Sequence, residues 1–220
     1  MIKLFKINHS VEASEIGCFP QVQEKWLGPT DFWAANSYTM TPLKGLIEFA
    51  IIFPKFEIAR HSKLTDWVSS VNIDANYLMA TTRFYDLLKS FVMDEYQHFP
   101  APVHTPQGVI DYHLIYFPWP HSDDFIDWQK STFRRTTPDG DNFLVQFENT
   151  KERLLTKDAH EIQIENIVVR TELITMDIFR FKGFETGFYV SAKLKEAMVA
   201  NGMTGIRYEQ AGWLDKSSPA

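Results

Sequence analysis

A strand followed by a hydroxyl residue and then a helix is the clearest pattern along the chain, and it occurs twice. In the second half, residues 188–190 are strand-like, and Ser191 follows at a position typical of a helix N-cap. Apolar residues at i, i+3 and i+4 then predict a helix over 192–201, and Gly202 suits a left-handed C-terminal cap. This segment is therefore predicted to be a structural module of strand, helix and returning strand.

The first half repeats this plan. Residues 77–80 are predicted to be a strand, and either Thr81 or Thr82 can cap the helix that follows. Its apolar stripe consists of Phe84, Leu87, Leu88 and Phe91. Two such modules are too few to indicate a repeat architecture.

Alternating apolar positions predict further strands. They lie at 2–7, 109–117, 143–147 and 162–169. The apolar run 46–53 is predicted to be a buried strand or a short helix, and residues 136–142 are a strong turn signal. Because strands outnumber helices and most links are too short for crossovers, we expect an α+β fold, mainly antiparallel sheet with a few short packed helices.

The length fits one domain over residues 1–220. The chain is 45% hydrophobic and has 18 Phe, which is enough apolar area for a sizeable core. Prolines at positions 100, 102 and 106 stiffen one connection. If the chain instead forms two lobes, we expect their boundary near 100–106.

Charge narrows the choice of partner. The net charge is −6, and residues 111–175 hold 7 basic and 12 acidic side chains, a net of −5. This acidic middle argues against binding to nucleic acid or to anionic lipid, which require a basic surface. It favours a basic protein partner through electrostatic steering, although a solvated acidic face is also consistent with it.

The compartment is predicted to be the cytoplasm. A single cysteine, Cys18, excludes an internal disulfide and fits a reducing environment. The first eight residues lack the apolar run of a signal peptide, and the apolar run 46–53 is too short to span a membrane.

No local motif predicts catalysis, a metal or a cofactor. The seven histidines form no H-x-x-x-H pattern, and the glycines form no phosphate-binding loop. The run 121–124, His-Ser-Asp-Asp, has the residue types of a catalytic triad, but triads are assembled in space rather than along consecutive residues. We therefore expect no enzymatic activity, although a site assembled from several loops stays open.

Aromatic residues surround the acidic segment. They are Trp119, Phe125, Trp128 and Phe133. Aromatic side chains beside carboxylates can anchor a protein interface, and they can equally be core residues at strand ends.

Three short patches carry a resemblance to a known family. They are L-M-A-T-T-R-F at 78–84, D-W-x-K-S-x-F at 127–133, and D-x-F-R … V-S-x-K-L-K-E-A … G-x-T-G-I-R-Y at 177–208. Together they span roughly residues 66 to 209, and they resemble the myxobacterial-type immunity domain of bacterial polymorphic toxin systems. Because partners differ within such a family, a shared position such as Asp127 is expected to be structural.

The resemblance implies a cytoplasmic immunity protein that neutralises a cognate toxin by occluding its active site. The other readings are an enzyme with a dispersed site, and a regulatory or structural partner of a secretion system. The partner surface is predicted in the exposed acidic turns and the aromatic residues beside them, and the toxin surface is predicted to be basic, as in a nuclease. The predicted contact residues are Trp119, Asp123, Asp124, Phe125, Asp139 and Asp141.

Overall fold

The fold was obtained as a computed structural model. It describes residues 3–28, 31–40, 45–70, 77–118, 125–157, 161–180 and 187–210. With 37% strand against 21% helix, in four sheets dominated by antiparallel pairs, the chain has an α+β fold that is mainly sheet, which confirms the predicted fold class.

The described residues form fourteen strands and four α-helices. The strands are β1 (Leu4–His9), β2 (Val22–Lys25), β3 (Lys55–Ile58), β4 (Tyr77–Thr81), β5 (Gln97–Pro100), β6 (Val103–Thr105), β7 (Gly108–Ile110), β8 (Tyr112–Tyr116), β9 (Thr132–Thr136), β10 (Asn142–Val145), β11 (Glu161–Asn166), β12 (Ile178–Phe179), β13 (Phe188–Ser191) and β14 (Ile206–Gln210). The helices are α1 (Ala13–Ile16), α2 (Thr82–Lys89), α3 (Thr150–Lys157) and α4 (Ala192–Ala200). Among the described residues, no helix is both long and apolar enough to cross a membrane.

Both predicted strand–helix modules are present, and each is split by an inserted strand. In the first module, β4 and β5 flank β8 and are antiparallel to it, so α2 connects two strands that run in the same direction. In the second, β13 and β14 flank β1 in the same way, and α4 connects them. Each is therefore a split β-α-β unit.

The predicted helix caps are confirmed. The hydroxyl of Thr81, rather than that of Thr82, accepts a hydrogen bond from the amide of Phe84 at 3.2 Å. Ser191 accepts one from the amide of Leu194 at the same distance. Gly202 has a φ of +60°, the left-handed conformation expected after a helix.

The two units share one core. The buried faces of α2 and α4 contribute Phe84 and Leu88, and Leu194 and Met198, to the same apolar cluster. Alternate residues of β4 and β8 point the other way, into a second cluster against the sheet of order β2-β3-β6-β7. The sheet of order β4-β8-β5 is therefore buried on both faces.

A smaller sheet of order β10-β9-β11 has its own cluster around Phe133, Trp128 and Ile126. The Ile126–Val169 bridge and the amide of Arg170, which donates to the carbonyl of Phe125 at 2.8 Å, join the two chain segments that flank this sheet. The sheet carries most of the predicted partner surface that the structure describes.

Residues 46–53 and 100–106 were the subject of two further predictions. The run 46–53 is neither strand nor helix: Ile47 is buried, but Leu46 and Phe49 are exposed, and only an isolated bridge joins Ile52 to Ser37. That prediction was wrong because an apolar run without a period does not define an element. The suggested boundary near 100–106 falls on β5 and β6, and the division into lobes stays a prediction.

Candidate functional site

Asp127 lies in the family-like central patch, and its side-chain contacts are local, whereas its amide donates to the carbonyl of Val168 at 2.9 Å. Its carboxylate accepts a hydrogen bond from the Lys130 amide at 3.3 Å and pairs with Lys130 Nζ at 2.9 Å. Ser131 donates from its hydroxyl to the Asp127 carbonyl, and the same hydroxyl accepts from the Val168 amide at 3.0 Å. The hydrogen bond from Lys130 holds the pKa of Asp127 below its usual range. The patch therefore builds a turn and attaches it to the segment that follows β11.

The aromatic residues near this patch belong to the interior. Trp128 and Phe133 are buried and stack with ring centroids 5.9 Å apart. Phe125, a predicted contact residue, is half-buried and packs against Phe179 at a centroid distance of 6.4 Å. For these three residues the structure supports the core alternative, and an additional contact by Phe125 stays a prediction.

Three other predicted contact residues, Trp119, Asp123 and Asp124, lie outside the described residues. Their part in the partner surface stays a prediction. The structure therefore places Phe125, Asp139 and Asp141 of the predicted set, and only the last two lie together.

Asp139 and Asp141 lie in the turn that joins β9 to β10. The Thr137 amide donates to the Asp141 carbonyl and the Gly140 amide donates to the Thr137 carbonyl, both at 2.9 Å. Gly140 has a φ of +89°, a conformation that favours glycine. Both aspartates are exposed, and neither carboxylate forms an ion pair with any other described residue. The turn therefore presents two negative charges that no cation among the described residues pairs with.

Strand β10 continues directly from this acidic turn and carries two exposed apolar side chains. Phe143 is 52% exposed and Leu144 is 66% exposed, on opposite faces of the strand. The alternation of Phe143 and Val145 predicts the strand, but it does not reveal this exposure. The missing information is three-dimensional, because exposure depends on whether another strand lies beside β10.

The outer edge of β10 is open within the part of the chain that the structure describes, where β10 pairs with β9 on its other side. The hydrogen bond between Thr137 and Asp141 makes these residues a hydrogen-bonded pair of the antiparallel ladder. Hydrogen-bonded and non-hydrogen-bonded pairs alternate along such a ladder, so Phe143 and Val145 direct their amides toward β9. Asn142 and Leu144 consequently direct their amide and carbonyl groups outward. We call this surface, residues 139–144, the acidic edge.

The arrangement closest to a catalytic site lies beside α2. His113 Nε2 is 3.2 Å from the hydroxyl of Thr82, and the ring of Tyr85 lies 4.9 Å from both His98 and His113. Burial, together with the neighbouring His98, lowers the pKa of His113, and burial followed by Tyr96 raises the pKa of Tyr85 to about 12. His113 Nδ1 is buried and has no partner among the described residues, so no third group orients this histidine as a base.

A cavity of about 530 Å³ lies at the N-terminus of α4. Its polar lining consists of Lys3, Thr175, Asp177, Ser191 and Lys193. Ser191 donates to Asp177 at 2.7 Å, and Lys193 Nζ lies 5.0 Å from the ring centroid of Phe91. Three of the five side chains are therefore already engaged in the helix cap and in packing.

Across the described residues, no three histidine, cysteine, aspartate or glutamate side chains are grouped so that they could hold a metal ion. The expectation of no metal, no cofactor and no catalysis stays a prediction. The acidic edge is the best-defined candidate site among the described residues, and it combines exposed carboxylates with exposed apolar side chains.

No protein-family model matches the chain, and no curated protein sequence matches it.

Proposed function

We propose that this chain is a cytoplasmic immunity protein that binds a cognate bacterial toxin and neutralises it by covering the toxin's active site. The resemblance of three sequence patches to the myxobacterial-type immunity domain suggests this function. The observation that carries the proposal is that residues of these patches make contacts that hold the fold, whereas the acidic edge is exposed and lies outside the patches.

In each of the three patches, a hydroxyl residue makes hydrogen bonds that hold the fold. Thr81 and Ser191 cap the two helices, and Ser131, which is buried, anchors the turn before it through its hydroxyl. A family whose members bind different toxins would keep such residues, because they hold the fold rather than the partner.

The variable side would be the acidic edge. Two exposed carboxylates beside two exposed apolar side chains combine electrostatic steering with anchors that can be desolvated. A basic protein surface, such as that of a nuclease, complements this combination.

Neither alternative function has an observation in its favour that is equally specific. The Thr82–His113 pair lacks an orienting group among the described residues, as described above, which weakens the enzyme alternative. A partner within a secretion machine would use the same kind of surface, so identifying the partner separates it from a toxin.

The first test is protection. The reading frame immediately upstream of this chain's gene is expressed with and without the chain in a heterologous bacterium. We expect the upstream product to be toxic alone and harmless when co-expressed, and the two purified proteins to form a complex. A non-toxic upstream product, or a toxic one that the chain neither rescues nor binds, would overturn the proposal.

The second test is kinetic. Reversing Asp139 and Asp141 to lysine is expected to slow association with that toxin at low ionic strength and to flatten its salt dependence. The matched control reverses Glu95 and Glu196, which are also exposed but lie away from the acidic edge, and it changes the net charge equally. Equal slowing by both pairs would show that net charge, rather than the acidic edge, steers the encounter.

A further inference from the structure

We infer that the acidic edge binds its partner by strand addition, in which an extended basic segment of the partner pairs with the outer edge of β10. This inference rests on the proposed function, because it specifies how the same surface holds its partner. Four backbone groups carry it: the outward amides and carbonyls of Asn142 and Leu144.

The side chains at the edge favour an added strand over a loose contact. Phe143 lies on the same face as buried Phe133 and half-buried Ile162, at the open end of the apolar cluster of this sheet. An added strand would extend that cluster by covering Phe143. Leu144 lies on the other face beside Arg134, so a second apolar residue of the partner has a place there.

Charge determines which strand fits. Asp139 and Asp141 stand at the turn end of β10, so the partner positions nearest that end favour lysine or arginine. The partner segment is therefore predicted to be extended, with basic residues at one end and apolar residues at the neighbouring positions.

The same charges disfavour a second copy of this chain. In a symmetric antiparallel pairing centred on Phe143, Asp141 of one copy falls opposite Val145 of the other, and Asp139 falls opposite Phe147. A second copy therefore places no basic side chain opposite these aspartates, and it adds a second acidic turn to the same interface. A basic segment of another protein neutralises the acidic turn and uses the same backbone groups.

Another exposed edge provides a contrast. Strand β7 is at the border of its sheet and exposes Val109 and Ile110, but its turn at Pro106 and Gln107 carries no charge. One exposed carboxylate, Asp111, follows the strand at the end away from this turn. Strand β7 therefore has the apolar side chains of the acidic edge without an acidic turn. This makes β7 a suitable control surface.

The decisive measurement is residue-resolved amide exchange in the full chain, alone and with the purified toxin domain encoded upstream. In the free protein, we expect the amides of Asn142 and Leu144 to exchange freely while those of Phe143 and Val145 are protected by β9. In the complex, Asn142 and Leu144 are expected to become protected by at least about tenfold, as paired strand amides are.

The outcomes separate the two proposals. A complex in which Asn142 and Leu144 still exchange freely overturns strand addition and leaves the proposed function standing. No complex at all overturns both. Protection of these two amides in the free protein, together with a dimeric mass in solution, would show that a second copy occupies the edge and would also overturn the inference.

A pair of variants tests the backbone directly. Leu144→Pro removes an amide hydrogen that β9 does not use, and it is expected to weaken toxin binding by about tenfold or more. Leu144→Thr keeps the amide and is expected to weaken binding less, and Val109→Ser on β7 is expected to leave it unchanged. Equal loss for the proline and threonine variants would overturn the backbone role, and the exchange experiment decides the question if Leu144→Pro does not fold.

Discussion

The two split β-α-β units have the same plan, and each completes the other. In the first, Thr81 donates from its hydroxyl to the carboxylate of Asp66 and from its amide to the Asp66 carbonyl, both at 2.9 Å. In the second, Ser191 makes the same two bonds to Asp177, at 2.7 and 2.9 Å. The hydroxyl of each cap residue therefore donates to an aspartate that lies earlier in the chain than the strand ending at that cap.

The same aspartates join the units to each other. Asp66 also accepts hydrogen bonds from the amide and hydroxyl of Thr204, which follows α4. Asp177 accepts one from the amide of Val92, which follows α2. Each helix therefore begins at a cap that is held in place by the segment leaving the other helix.

The units differ in charge compensation. Arg83, in the first turn of α2, pairs with Asp66 and also donates to the carbonyls of Asn201 and Gly202 at the end of α4. The corresponding residue of α4 is Lys193, whose ammonium lies over the ring of Phe91 instead. Asp177 has no ion pair within the described residues. One hydrogen-bonding plan can therefore be built with an ion pair between a buried aspartate and a largely exposed arginine, or without an ion pair.

The pKa of Asp66 reflects this. Burial opposes ionisation of its carboxyl, but the hydrogen bonds from Arg83 and Thr204 outweigh burial and hold the pKa below its usual range. The Asp66 side chain is 7% exposed, whereas that of Arg83 is 56% exposed. The contacts around Asp66 therefore stabilise a buried anion from several directions.

The largest effect is expected from removing Asp66. Asp66→Ala leaves the hydroxyls of Thr81 and Thr204 and the guanidinium of Arg83 without their acceptor, and it should lower the free energy of unfolding by about 3–4 kcal/mol. Asp177→Ala removes fewer bonds and no ion pair, so we expect about 1–2 kcal/mol. Chemical denaturation of both variants measures the difference.

Equal losses for the two variants would contradict the distinction between the units. Asp66→Asn serves as the control of similar shape. It keeps the volume but lacks the charge, so we expect its loss to lie between those of the two alanine variants.

The local parts of this arrangement could be predicted from the sequence, and the connections between distant parts could not. A hydroxyl residue before an apolar stripe identified Ser191 as one cap and limited the other to Thr81 or Thr82, because a cap depends on residues three positions apart. The roles of Asp66 and Asp177 stayed hidden, because their partners Thr204 and Val92 lie 138 and 85 residues away. Nothing local in the sequence records such a contact.

The candidate site divides in the same way. The turn chemistry around Gly140 placed Asp139 and Asp141 at an exposed tip. The exposure of Phe143 and Leu144 could not be predicted, because an alternating strand has the same pattern at an edge and inside a sheet.

The next largest effect concerns pH and the first unit. The ring of His9 lies 4.1 Å from that of Trp67, which precedes the first unit's strand, and burial lowers the pKa of His9 to about 4. The unfolded chain binds this proton below about pH 6.5, whereas the folded chain resists it. Stability should therefore fall as the pH drops from about 6.5 toward 4, by about 2 kcal/mol at pH 4.5.

His9→Phe is expected to remove this part of the pH dependence, and His104→Phe, on a different sheet, is the matched control. The measurement is the free energy of unfolding at pH 7 and at pH 4.5. Protonation of Asp66 does not contribute at these pH values. Its pKa is lower in the folded chain than in the unfolded chain, so the stability that it contributes is lost only as the pH falls below 3.8. An unchanged pH dependence in His9→Phe would show that protonation of this ring is not resisted by the fold.

The two caps should have similar, smaller effects. Ser191→Ala and Thr81→Val each remove the acceptor for a first-turn amide, and we expect each to cost about 1 kcal/mol. Thr81→Ser keeps the hydroxyl and should change stability little. A Ser191→Ala variant as stable as the parent protein would show that its hydroxyl contributes nothing measurable to the helix.

The smallest effect is expected at Arg83, and it is the most direct test of the asymmetry. Because this side chain is largely exposed, solvent screens its attraction to Asp66, and Arg83→Met should cost only about 0.5–1 kcal/mol at neutral pH. The pKa of Asp66 should nevertheless rise, since a donor that holds it down has been removed. Titration of Asp66 by NMR in both proteins would show this shift, and Lys193→Met is the control because Lys193 does not contact Asp66. If the pKa of Asp66 stays equally low without Arg83, then the hydrogen bonds from Thr81 and Thr204 suffice to stabilise the Asp66 carboxylate. The ion pair would then be a difference between the two units that does not affect what stabilises them.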